Sequence, residues 1–363
     1  MRKTKIDLIL LFAVILISLF GVLMIYSSST VWASYKFDDP FKYLKTQSIF
    51  LIIGIILMVI VSKIHYTYYL DKANILLFSC FVLLILVIIP GIGTVRNGSR
   101  SWFGIGGFGI QPSEFMKLAM IIFVSKYLYK NNKDIKNIKK GIIPILLVVL
   151  LAFGLIMLQP DFGTGVILVM SIIGLLFISG VNLKFFLILG IFGIIGSVLL
   201  IVIAPYRFQR ILSFINPWLD PLGSGFQAIQ SLFAIGPGGF LGLGLGNSIQ
   251  KHFYLPEPQT DFIFSIISEE LGFLGILIVS SLFIIIIYRG IKISLNAKDL
   301  FSKYLSFGII FQLSFQTLLN LMVVVGLIPI TGVTLPFISY GGSSLLISMI
   351  SIGIVLSVSR SNR

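Results

Sequence analysis

Two short stretches concentrate the residue types that could do chemistry: Leu255-Pro256-Glu257-Pro258-Gln259-Thr260-Asp261-Phe262-Ile263-Phe264, then Ser268-Glu269-Glu270-Leu271-Gly272. They put carboxylates at the mouth of an apolar run in a chain with only 13 Asp and Glu among 363 residues. Ionisable groups beside hydrocarbon are costly and tend to mark function. Asp261 is the leading candidate. A carboxylate at the start of a helix is kept ionised by the helix dipole, while burial pulls the other way, so it suits a general base. Asp261 and Thr260 are equally good N-caps before an apolar run. The residues alone leave base and cap both open.

Other polar groups stand near enough in sequence to matter. Glu257 precedes Asp261 by four residues, with Pro256 and Pro258 arguing against one helix through both. It could orient a substrate, hold a divalent cation together with Asp261, or merely shape the loop. Glu269 and Glu270 lie two or more turns further on and read as structural or cavity-lining. Glu114 and Lys117 are spaced i,i+3, share a helix face and can pair, and Asp161 could join them. That intramembrane polar cluster could fix the helix arrangement or line a substrate cavity. Arg207 and Arg210, also i,i+3, suit bidentate phosphate contacts or snorkelling to headgroups. Arg100 and Lys251 are further phosphate candidates, and Trp102 could stack on a sugar face or anchor the interface.

These residues need elements to position them, and composition says which. Hydrophobic residues make up 57% and charged ones 11%, with a mean hydropathy of +1.06, far from a soluble domain. Apolar runs recur at residues 8–26, 47–61, 73–90, 116–129, 142–158, 166–178, 185–204, 262–288, 305–328 and 345–358. The expected fold is all-α and polytopic: one integral membrane domain over residues 1–363 with about ten transmembrane helices. Arg2, Lys3 and Lys5 before the first run resemble a signal peptide, but the run is too long and leads into further spans. Cys80, the single cysteine, lies within a span, and neither His65 nor His252 has a second ligand nearby in sequence, so a zinc site is not expected.

Lys and Arg set the orientation. They crowd segments such as residues 126–140, with Lys126, Lys130, Lys133, Lys136, Lys139 and Lys140, and residues 289–303. The positive-inside rule then places both termini in the cytoplasm. The +14 net charge is spread over these short loops rather than clustered on one face, which excludes a nucleic-acid binder and points to anionic headgroups. Two longer loops, residues 91–111 and the large one between helices 7 and 8 at residues 205–260, face the other, extracytoplasmic side. Chemistry is expected there. The glycines of Gly236-Pro237-Gly238-Gly239, Gly242, Gly244 and Gly246 lack the Lys-Ser/Thr of a phosphate-binding loop. Close packing or a re-entrant backbone accounts for them better.

Six motifs in order carry a family resemblance: Arg100-Ser101-Trp102; Gln111-Pro112-Ser113-Glu114 with Lys117; Gln159-Pro160-Asp161-Phe162-Gly163-Thr164; Gln227-x-x-Gln230-Ser231; Leu255-Pro256-Glu257 with Thr260-Asp261-Phe262-Ile263-Phe264; and Leu335-Pro336-Phe337-Ile338-Ser339-Tyr340-Gly341-Gly342-Ser343-Ser344. Together they resemble the SEDS family (shape, elongation, division and sporulation). Thr331-Gly332-Val333-Thr334-Leu335-Pro336 and the Asp261 stretch look more FtsW/SpoVE-like than RodA-like.

The resemblance implies a peptidoglycan glycosyltransferase in a bacterial cytoplasmic membrane, polymerising lipid II at the outer face and releasing polyprenyl pyrophosphate. It implies that Asp261 is the catalytic aspartate and tilts Trp102 toward function. It also implies a growing glycan strand as substrate, a class B penicillin-binding protein (a transpeptidase) as partner, and other division or elongation proteins. One carboxylate with nearby cations suffices for this reaction, because a pyrophosphate leaving group needs charge stabilisation, by cations or a divalent metal such as Mg or Mn, rather than a protonating acid. Two rival readings remain. A lipid II flippase would use Glu114, Lys117 and Asp161 as a polar path, and a non-catalytic divisome scaffold would tolerate loss of Asp261.

Overall fold

The computed structural model describes residues 6–96, 98–105, 108–135, 137–203 and 205–361. Arg2, Lys3, Lys5, Asn97, Lys136 and Arg363 lie outside the described residues. The apolar runs fall on helices α1 (Leu8–Phe37), α2 (Lys42–Lys63), α3 (Thr67–Ile88), α4 (Pro112–Lys130), α5 (Ile143–Met157), α6 (Phe162–Ile178) and α7 (Leu183–Ile203). After α8 (Pro205–Ile215) and α9 (Phe226–Ile235), they resume on α10 (Ile263–Leu295), α11 (Leu300–Val324) and α12 (Gly342–Ser361).

Among the described residues, eight helical runs are long and apolar enough to cross a membrane. The run into α5 counts from a π-helical turn at Ile138–Ile142. α6 is shorter, and α4 carries Glu114 and Lys117 in its first turns. The chain is a multi-pass membrane protein. Helix α12 packs on α2, α4 on α3, and α10 on α1 and α11, with α6 against α11.

The start of α1 and the end of α12 meet at one rim. Arg289 pairs with Asp7 through both carboxylate oxygens, and the Asp7 amide donates to Ser359 Oγ at 3.2 Å. Tyr66 donates its hydroxyl to Asp299 at the same rim. The charge pattern requires the two termini to share a side, and they do.

The two longer connections carry more structure than a loop. Residues 94–110 form an antiparallel meander of β1 (Thr94–Arg96), β2 (Ser99–Ile105) and β3 (Phe108–Ile110). Arg96 pairs with Ser99, and Gly98, just before Ser99, has φ 77°. An Asn-Gly pair between strands is the turn such a hairpin favours.

The second connection holds α8, α9 and a glycine-rich backbone that docks on α10 where Gly272 breaks it (φ 59°, ψ −152°). Leu243 and Gly244 amides donate to the Glu269 and Glu270 carbonyls, each at 2.9 Å, and the Phe273 amide donates to Gly239 O at 2.9 Å. A Cβ on Gly272 would stand 2.4 Å from Gly242 N, so no other residue fits. Backbone groups freed by a break inside a packed bundle must find protein partners, and here the glycine-rich loop supplies them.

Candidate active site

Asp261 sits just ahead of α10, held through its backbone. Asn320 Nδ2 on α11 donates to Asp261 O at 2.8 Å and to Val333 O at 2.7 Å. Ser339 Oγ donates to Thr260 O at 2.7 Å while accepting the Leu335 amide at 2.8 Å, and the Tyr340 amide donates to Gln259 O at 2.8 Å. Gln47 on α2 then clamps Ser339 O and the Gly341 amide, each at 3.3 Å. The segment before α10 is thereby stitched to residues 331–344. Gly332, at φ 75°, passes the carboxylate, and a Cβ there would lie 3.7 Å from Asp261 Oδ2.

The cap alternative is not taken. The N-cap position of α10 falls on Phe262, with no side-chain capping bond. Among the described residues no hydrogen bond or ion pair engages the Asp261 carboxylate. Asp161 behaves in the opposite way: it caps α6 by accepting the Thr164 amide at 3.2 Å and also accepts Gln111 Nε2 at 2.9 Å.

Charge around Asp261 is mixed. Burial pushes its carboxyl up to about 6, the negative charges of Glu257 and Asp161 push the same way, and the Arg210 guanidinium opposes them. A carboxyl so placed is mostly ionised at neutral pH yet basic enough to take a proton. Glu257 is brought there by a left-handed backbone (φ 45°) between its two prolines, a strained conformation for this residue. The Thr260 amide and hydroxyl both bond Glu257 O, at 3.0 and 2.8 Å, and lock that turn. Arg210 donates to Ile330 O at 3.1 Å, and Arg207 lies over the Phe162 ring at 5.8 Å. Helix α8 thus brings Arg210 within electrostatic reach of Asp261 and Arg207 onto Phe162, while Phe208, Leu212 and Ile215 are exposed.

The remaining sequence candidates separate. Glu114 and Lys117 pair at 2.8 Å in a buried site, and Lys117 Nζ donates to Gln316 Oε1 at 3.0 Å. Gln316 Nε2 donates in turn to Thr334 O at 3.0 Å. That chain ties α4 to α11 and to the loop facing Asp261, and Asp161 is bonded to neither partner. Trp102 is half-buried on β2 under the Arg96 guanidinium, 5.4 Å from its ring. Arg100, on the same strand, lays its stem beside Gly93.

Lys251 does not belong to a phosphate site. It is buried, pairs with Glu270 Oε1 at 3.2 Å and bonds Gly246 O. Sequence reading missed Arg96, whose charge also acts on Tyr340. The Asn97-Gly98 dipeptide in the sequence, next to Arg96, was the available signal. Among the described residues no three His, Cys, Asp or Glu side chains form a metal-holding group.

A family described as "Cell cycle protein", whose name joins FtsW, RodA and SpoVE, matches residues 7–363. The chain belongs to this family. Stage V sporulation protein E of Bacillus subtilis (strain 168) is 51% identical, the match covering 100% of this chain and 99% of that protein. The probable peptidoglycan glycosyltransferase FtsW of Geobacter sp. (strain M18) is 40% identical, covering 97% and 96%. Among solved structures, a chain from work on the structural coordination of polymerization and crosslinking by a peptidoglycan synthase complex superimposes with a TM-score of 0.81 at 31% identity, covering 99% and 98%. The Thermus thermophilus rod shape determining protein RodA does so at 0.73 and 27%, with the same coverage. Family membership accounts for the six motifs at once, since all of them converge on the end of the bundle that holds Asp261 or pack against it.

Proposed function

We propose that this family member is a peptidoglycan glycosyltransferase that polymerises lipid II into glycan strands, with Asp261 as general base. The observation that carries this is a carboxylate raised toward neutrality, bonded to no described side chain, and facing Arg210. The acceptor's sugar hydroxyl attacks the donor's anomeric carbon as the bond from that carbon to the pyrophosphate oxygen breaks. The hydroxyl proton passes to Asp261, and polyprenyl pyrophosphate departs with the bonding electrons. A positioned base of this kind contributes roughly 10²–10⁴ in rate. Arg210 and Arg207 meet the charge that builds on the leaving pyrophosphate, as fixed cations held beside the reacting atoms.

If a divalent ion such as Mg²⁺ or Mn²⁺ binds, Glu257, beside Asp261, would be the residue to hold it. Such an ion would add positive charge at the leaving group. Trp102, roofed by Arg96, offers a ring face to a sugar. With the termini in the cytoplasm, the Asp261 end opens at the outer face of the bacterial cytoplasmic membrane, where the strand grows. A class B penicillin-binding protein that crosslinks the product is the expected partner, with other division, sporulation or elongation proteins around it.

The test is polymerisation of lipid II by the purified protein, with and without that transpeptidase, read as glycan chains on a gel. Chains in either condition are expected. Their absence with the partner present, together with movement of lipid II between leaflets, would replace this reading with transport.

A further inference from the structure

The end of the bundle opposite Asp261 holds a second site. Helix α2 runs from the Gln47 clamp beside Asp261 to Lys63, a distance of roughly 24 Å at 1.5 Å per residue. There a cavity of about 380 Å³ opens among Lys63, His65, Tyr66, Lys298, Ser357 and Arg360. Among the described residues cations line it and no carboxylate does. Asp299, next to Lys298, is occupied by the Tyr66 hydroxyl and by the Ser302 amide and hydroxyl, at 2.9 and 3.0 Å. Among the described residues, Lys63 and Lys298 form no ion pair.

The floor is built rather than incidental. Tyr66 and Ser357 are buried, and Ser357 Oγ donates to Ile64 O, pinning α12 to the turn after α2. His65 Nδ1 lies 2.9 Å from the Thr67 hydroxyl and 3.4 Å from the Thr67 amide, which hold the ring at the cavity. A strip of exposed side chains on α2, Ile52, Ile56 and Ile60, runs along the lipid-facing wall and ends at Lys63. An occupant therefore meets cations at its head and apolar surface along its tail.

We infer that this cavity binds the phosphate headgroup of an anionic phospholipid, with the acyl chains lying along the α2 strip. Clustered cations between helix ends at a membrane surface recognise such headgroups. A free phosphate shares the head chemistry but gains nothing from the strip. The site is separate from Asp261, so it stands or falls independently of the catalytic reading.

The experiment is native mass spectrometry of the full-length protein released from detergent, titrated with phosphatidylglycerol, cardiolipin, phosphatidylcholine or inorganic phosphate. Wild type should retain the two anionic lipids and not phosphatidylcholine. Lys63→Gln with Lys298→Gln should bind them about 30-fold more weakly, about fivefold for each cation. Lys63→Arg with Lys298→Arg should bind like wild type, with melting temperatures unchanged in both pairs. Equal binding of phosphatidylcholine, undiminished binding by the glutamine pair, or inorganic phosphate binding as tightly as phosphatidylglycerol would each overturn the assignment.

Discussion

Asp261 and the Glu269–Glu270 pair lie within ten residues of one another, on one segment, and have opposite surroundings. Glu269 accepts from Ser248 Oγ and the Ile249 amide, the latter at 2.8 Å, while Glu270 takes Lys251, the Ser27 hydroxyl at 2.6 Å and the Ser248 amide at 3.3 Å. Both are fully enclosed. Asp261 keeps some exposure, has its backbone held from two sides and leaves its carboxylate unengaged. Buried carboxylates whose two oxygens are both engaged hold a structure together. One that is rigidly placed, crowded by like charge and left open is equipped to take a proton.

The sharpest way to break this contrast is to strip the structural pair. Lys251→Met leaves Glu270 buried without its cation, and removing one partner of a buried pair costs about 3–5 kcal/mol. Thermal unfolding in detergent should show a large fall. Gly272→Ala strikes the same region through the backbone. Its φ of 59° with ψ −152° suits only glycine, and the added Cβ meets Gly242 N, so a loss of about 2 kcal/mol or more is expected in the same assay.

Changes around Asp261 should do the reverse, sparing the fold and costing rate. Arg210→Ala removes a charge-assisted contact from the cleft, and polymerisation should slow by about 10- to 100-fold with an unchanged melting temperature. The pH profile reads Asp261 itself. Its base form needs pH above about 6, so the rate should fall on the acid side with a midpoint near 6. Stability has its own sign. A carboxyl raised from 3.8 to about 6 in the folded state costs folding energy as pH rises through that window. Asp261→Asn should thus be more stable than wild type at pH 7, and the margin should vanish toward pH 4. The smallest effect is Glu257→Gln, which removes a charge that raises Asp261 and should move the acid midpoint below 6 by a fraction of a unit.

Much of the architecture is legible in the sequence because the signal is long and redundant. Each apolar run found its helix, and the cation asymmetry put Asp7 and Ser359 at one rim. What depends on single residues was less visible. Gly272 interrupts α10 within the long run at residues 262–288, where averaged hydropathy has no means of registering a break at one residue. Lys251 is an outer cation by position, and only the fold of the glycine-rich loop carries it under the surface to Glu270. Asp261 was ambiguous between base and cap because capping turns on the backbone one residue away, and that residue, Phe262, took the cap position. Asp161 offered the same pattern and did become a cap.

The most direct measurement is the rate of lipid II polymerisation by Asp261→Asn against wild type, at pH 7 with the transpeptidase present, on protein whose melting curve shows it folded. Asparagine keeps the shape and loses the base. The account predicts a loss of at least about 100-fold in rate alongside equal or higher stability. A variant that polymerises within a few-fold of wild type would contradict it, and the proton would have to be taken elsewhere.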